Sequence, residues 1–198
     1  MKKRILAYLL VFTLYLPLCL SFSPHIFAKS LGYKWNTKTV YFQCDFEPQK
    51  RAAVSSAMYK WSNVRDTITG KTLITMSLTR NNTDNYVVMA DSFGMWVGYC
   101  DVFQVGGVTK AVTVKLSTDE EWYVGEKTGA YDVQSVVLHE LGHAAGIAHC
   151  HESTEGKGPC WSSTCLRNVM YPFAETNQIK MTFTDYDESS LMLIYDDY

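Results

Sequence analysis

Eleven residues from His139 to His149 carry the side chains able to do chemistry, reading His-Glu-Leu-Gly-His-Ala-Ala-Gly-Ile-Ala-His. His139 and His143 are four residues apart, so on a helix they stand one above the other on one face and can bind one metal ion. Glu140 is adjacent to the first of them, where a carboxylate reaches a water held by that metal and serves as general base. Gly146 accepts the left-handed conformation that ends a helix, and the turn it permits swings His149 back as a third ligand. Three imidazoles and one open coordination position describe a catalytic zinc site rather than a structural one.

A bare His-Glu-x-x-His also describes an ordinary exposed helix. The longer pattern fixes five positions, and its chance occurrence in a chain of this size is on the order of 10⁻⁵. Together with Asn168-Val169-Met170-Tyr171-Pro172 downstream, the sequence resembles the metzincin metallopeptidases, which combine the long motif with a methionine turn. The Val-Met-Tyr-Pro form is similar to the matrixin branch. This resemblance implies peptide-bond hydrolysis at one catalytic zinc held by His139, His143 and His149. Glu140 takes a proton from the metal-activated water and passes it to the departing amine. Met170 lies beneath the imidazoles without binding metal, and Pro172 helps wall a specificity pocket. It implies an extended polypeptide substrate that pairs with an edge strand of the sheet. Met95–Phe103 is the candidate edge, an interior position remaining open.

The chain departs from the matrixin pattern in ways that limit what carries over. No histidine lies between Cys44 and Leu138, so the second, structural zinc of matrixins is not expected. Asp119-Glu120-Glu121-Trp122 matches the acidic calcium segment, but Ser117 stands where an aspartate ligand usually sits. That argues against calcium without removing it as a second cofactor. Few residues separate Ala28 from the first strand, which leaves no room for a propeptide with a zinc-blocking cysteine. Cys150 follows the third histidine where matrixins usually have serine; it reads as a disulfide partner, with a zinc-blocking thiol as the alternative. His151 reads as a solvent-facing loop residue.

The elements that position these residues follow from periodicity. Val133, Val136, Val137, Leu141, Ala144 and Ala145 recur at helical spacing and place the motif on a helix over Val133–Ala148. Ala53, Val54, Ala57, Met58 and Trp61 mark an earlier helix over Gln49–Asn63, with Pro48 at its start. Strands are expected at Trp35–Phe42, Thr72–Thr79, Tyr86–Ala90, Met95–Phe103 and Lys110–Leu116, with Gly106-Gly107 as a break. Asp119–Tyr131 reads as a loop, Cys150–Arg167 as an irregular stapled loop, and Tyr186–Tyr195 as a final helix opened by Thr182-Phe183-Thr184-Asp185. The expected fold is an α/β (α+β) sandwich: a twisted mixed β-sheet of about five strands with two long helices and a C-terminal helix. The order resembles the matrixin catalytic domain from roughly Tyr33 to Tyr195.

Met1–Ala28 reads as a signal peptide, with Lys2, Lys3 and Arg4 ahead of the apolar run Ile5–Leu20 and a small residue at Ala28. An uncleaved anchor is the alternative, but the run is short for a bilayer span and carries Pro17. Leu18 before Cys19 is too large for a lipoprotein signal. Removing Lys2, Lys3 and Arg4 from eighteen basic residues leaves fifteen against twenty acidic, a net charge of −5. That balance argues against nucleic acid and against stable membrane association as partners.

The 170 residues of 29–198 suffice for one well-buried catalytic domain, expected to act as a monomer. Five cysteines remain: Cys44, Cys100, Cys150, Cys160 and Cys165. In an exported chain they point to disulfides, one bridge among Cys150, Cys160 and Cys165 and Cys44–Cys100 as the remaining pair, the odd count leaving one cysteine over or paired with another molecule. A second zinc site built from these cysteines is the alternative. The expectation is a secreted, extracellular zinc endopeptidase; a catalytically dead binding protein on the same fold and a zinc hydrolase of another substrate are its competitors.

Overall fold

A computed structural model of the chain describes residues 28–91, 94–150 and 163–196. Met1–Phe27, His151 and Cys160, all singled out above, lie outside the described residues. Within them the chain runs β1 (Thr39–Cys44), α1 (Pro48–Ser62), β2 (Thr75–Leu78), β3 (Tyr86–Ala90), β4 (Gly98–Val105) and β5 (Val108–Ser117). There follow β6 (Trp122–Tyr123), β7 (Tyr131–Asp132), α2 (Val133–Ala144), α3 (Ser163–Arg167) and α4 (Asp185–Tyr195).

The five main strands form one sheet in the order β2-β1-β3-β5-β4, parallel except for β4, which pairs antiparallel with β5. This is the mixed α/β sheet the sequence implies. Parallel neighbours need long crossovers, and α1 supplies the one between β1 and β2. The β4–β5 pair closes instead through Gly106 and Gly107, both at positive φ, the backbone demanded by a tight two-residue hairpin.

Alternation along the strands puts Val40, Phe42, Met76, Val87, Val112, Val114 and Leu116 into the core, against α1 and α2. The two helices are fastened by Trp61 of α1, fully buried, whose indole Nε1 donates to the Leu138 carbonyl of α2 at 2.8 Å. Pro48 opens α1 at a position where its missing N–H costs nothing. Asp132 caps α2: its Oδ2 accepts from Ser135 N at 2.8 Å and from the Ser135 hydroxyl at 2.6 Å.

Four expectations change. The stretch Cys150–Arg167, taken as an irregular loop, ends in helix α3. The segment taken as loop, Asp119–Tyr131, contains the short strand β6, which pairs in parallel with β7. The opening strand begins at Thr39 rather than Trp35, because Trp35 is buried against α2 and donates through Nε1 to the Ala144 carbonyl at 2.8 Å. The Cys44–Cys100 disulfide is excluded. Cys44 pairs with Val87, Val87 with Val114, and Val114 with Cys100, so the two cysteines share one row across four strands. Three strand spacings of 4.7–4.9 Å separate them by about 14 Å. A disulfide tolerates a Cα separation of about 7 Å at most.

Candidate metal centre and active-site cleft

Helix α2 ends where Gly146 requires it to. Gly146 has φ +94°, its N–H donates to the His143 carbonyl at 2.8 Å, and Ile147 N reaches back to the Gly142 carbonyl at 2.9 Å. This is a Schellman closure, and it reverses the chain so that His149 faces the helix it has just left. A Cβ at Gly146 would also overlap the Tyr33 carbonyl. The carbonyls of the last turn, orphaned in any helix, are met by aromatic donors. Tyr33 OH donates to His143 O at 3.0 Å and Tyr195 OH to Ala145 O at 3.1 Å. Tyr186 OH holds the His149 carbonyl at 3.0 Å.

The result is a converging triad. The Nε2 atoms of His139, His143 and His149 lie 3.0–3.2 Å from one another. His139 Nδ1 contacts the Val169 carbonyl at 2.7 Å and His143 Nδ1 the Ile147 carbonyl at 2.8 Å. A carbonyl can only accept, so both Nδ1 atoms carry the proton and both Nε2 atoms present lone pairs. Two such lone pairs 3.1 Å apart repel unless a proton or a metal cation lies between them. Tetrahedral zinc with bonds of 2.0–2.1 Å sets its ligand nitrogens about 3.3 Å apart, so the donor set fits zinc in type, number and spacing. Burial pulls His143 and His149 down to about 4 and His139 well below its ordinary value, which keeps the imidazoles neutral and able to ligate.

Glu140 is 6 % exposed beside this triad, and burial raises its carboxyl to about 8. Gly98 of β4 packs against it: a Cβ there would sit 2.7 Å from Glu140 Oε1 and 2.6 Å from Val136 Cγ1. Fully buried Met170 packs against α2, where a side chain at Gly142 would overlap its sulfur. Its backbone is held by Asp187 of α4, whose Oδ1 accepts from Met170 N and Oδ2 from Val169 N, each at 3.1 Å. The Asp187 carboxylate also accepts from Thr184 N and the Thr184 hydroxyl, both at 2.9 Å.

The same turn steadies the third histidine, since Cys150 N donates to the Met170 carbonyl at 2.9 Å. Cys150 Sγ lies 3.9 Å from the Cys165 carbonyl oxygen, which places Cys165 beside it.

A cleft of about 460 Å³ opens over the triad. One side is the chain from Met95 to Tyr99, which enters β4, and β4 lies at an edge of the sheet, the position expected for Met95–Phe103. The other is the turn from Tyr171 to Glu175, Pro172 included, with Gln178 and Lys180 beyond it. Gly98, Asp187 and Lys180 went unnoticed in the sequence. Only Asp187 had a local signal there, standing three residues after Thr184 as the acidic partner of a capping box.

Two imidazoles on a helix behind a mixed sheet and a third returned by the turn after it form a cluster that fits zinc, with a buried carboxyl beside it. The chain belongs to the matrixin family, whose model matches residues 28–196. It is also similar to the Arabidopsis thaliana protein named Metalloendoproteinase 2-MMP, with 29 % identity over 87 residues. That match covers 40 % of this chain and 20 % of the plant protein.

Proposed function

We propose that the chain is a secreted zinc endopeptidase in which His139, His143 and His149 hold one zinc ion and Glu140 is the general base. The observation that carries this reading is the convergence of three imidazole Nε2 atoms, 3.0–3.2 Å from one another, with the buried Glu140 beside them. Bound there, zinc supplies a Lewis acid that polarises the scissile carbonyl and lowers the pKa of water. Glu140 accepts the proton of the attacking water and returns it to the departing amine nitrogen. Burial raises this carboxyl in the metal-free chain, which favours its holding the proton on the way to the amine. The extended substrate lies along β4, whose outer edge can take its backbone as an added strand.

Secretion rests on the basic start and apolar run of Met1–Ala28. No helix among the described residues is long and apolar enough to cross a membrane. The substrates are then extracellular polypeptides. Incubating the zinc-loaded chain with a mixed peptide library, with and without a chelator, tests the reading. Chelator-sensitive cleavage is expected. An intact library would favour a binding protein or a hydrolase of another substrate.

A further inference from the structure

The cleft beside His139 contains a cation that the proposed hydrolysis does not use. Lys180 is tied by its backbone N to the Ser135 hydroxyl at 2.9 Å. Ser135 is one helical turn before His139 and on the same face of α2, so Lys180 enters the cleft wall directly beside the triad. Its side chain then lies along the wall formed by the Tyr171–Glu175 turn. Nζ donates to the Phe173 carbonyl at 3.3 Å and sits 4.5 Å from the centroid of the Tyr171 ring.

An ammonium has three donors, and one carbonyl and one ring face do not exhaust them. Among the described residues no carboxylate lies within ion-pair distance of Nζ. Glu175, on the same turn, is exposed and acts on it only from beyond that distance. Asp187 acts from behind the Met170 turn, and its oxygens already accept four hydrogen bonds. The walls of the cleft are largely apolar or aromatic, Val136, Tyr171 and Pro172 among them, with Glu140, Glu175 and Gln178 among the polar side chains that also line it. A half-buried cation at one point of an apolar pocket is complementary to a side chain with a short aliphatic stem and an anionic end.

We propose that Lys180 makes this cleft select an acidic side chain, so that cleaved peptides carry glutamate or aspartate at the position seated beside His139. The inference rests on the peptidase reading and names its substrate class. Charge-assisted hydrogen bonds are the stronger kind, and one of them amounts to a preference of about tenfold or more for glutamate over glutamine or leucine.

The experiment is a cleavage profile of the zinc-loaded chain on a peptide library, read by mass spectrometry position by position around each cut. Wild type should show acidic enrichment at one fixed position flanking the scissile bond. Lys180→Met should abolish that enrichment, and Lys180→Glu should replace it with lysine and arginine at the same position. Cleavage with no acidic enrichment in wild type overturns the selectivity while leaving the peptidase reading intact, and needs no variant to fold. A profile unchanged in Lys180→Met overturns it equally. Absence of any chelator-sensitive cleavage overturns the peptidase reading, and the selectivity with it.

Discussion

Gly98 and Glu140 are in contact across the cleft: the space where a Cβ of residue 98 would stand is taken by Glu140 Oε1, 2.7 Å away. The edge strand therefore fixes the position of the proposed base. Gly98→Ala should push the carboxylate off its line and lower kcat by about 10- to 100-fold, since displacements near 1 Å cost that much. Zinc content should stay at the wild-type level. A variant with unchanged kcat would show that Glu140 tolerates the shift.

Metal content is the most direct check on the triad. The chain should retain one tightly held zinc, lost on replacing any one of His139, His143 or His149 by alanine. Elemental analysis decides the matter, and two zinc ions per chain would reveal a structural site that the histidine distribution does not provide.

Binding and chemistry should separate at Glu140. Its carboxylate stands outside the three-nitrogen cluster, so Glu140→Ala should keep the zinc yet lose about 10²- to 10⁴-fold in rate, the usual range for a general base. A residual rate within about tenfold of wild type would remove it from that role.

The metal-free chain should be most stable near pH 6.5. Unfolded, its histidines protonate around about 6.5, whereas folded His143 and His149 resist protonation down to about 4. Those lowered values give stability that is complete above the unfolded pKa and is lost as pH falls toward 4. Glu140 acts in the opposite sense. Folded, it keeps its proton up to about 8, so its contribution is present below its ordinary 4.5 and is lost as pH rises through 8. Three histidines outweigh one carboxyl below 6.5, and above that pH only the carboxyl term changes. Urea midpoints of chelator-treated protein at pH 4.5, 6.5 and 8 should trace this maximum; a monotonic rise to pH 8 would contradict the burial of Glu140.

Cys150 and Cys165 are the pair to watch in an oxidising compartment. A bridge between them would close a loop of roughly sixteen residues, worth about 3 kcal/mol in the chain-entropy model. Because Cys150 N is bonded to the Met170 carbonyl, that bridge would brace His149 and the methionine turn together. Reduction without denaturant should then release zinc before the sheet unfolds. A non-reduced digest analysed by mass spectrometry should show the Cys150–Cys165 peptide, and recovery of Cys150 as a thiol would dismiss the brace.

What the sequence by itself determined is local. His139 and His143 share a helix face because 3.6 residues make a turn, and Gly146 turns the chain because only glycine takes φ +94° there without strain. The helices α1 and α4 and the hairpin at Gly106-Gly107 follow equally from near neighbours. What the tertiary structure alone decided is which distant segments meet. Strand order is set by long-range pairing, so sequence could make β4 a candidate edge but could not show it to be one, and could not place Cys44 three strands from Cys100. Asp187 lies seventeen residues from Met170 and Lys180 forty-five from Ser135, yet each is joined to the other by a hydrogen bond. No periodicity of the chain encodes such contacts; they arise when helices and turns with buried faces pack into one core, and they bring Lys180 to the cleft and Asp187 beneath the turn.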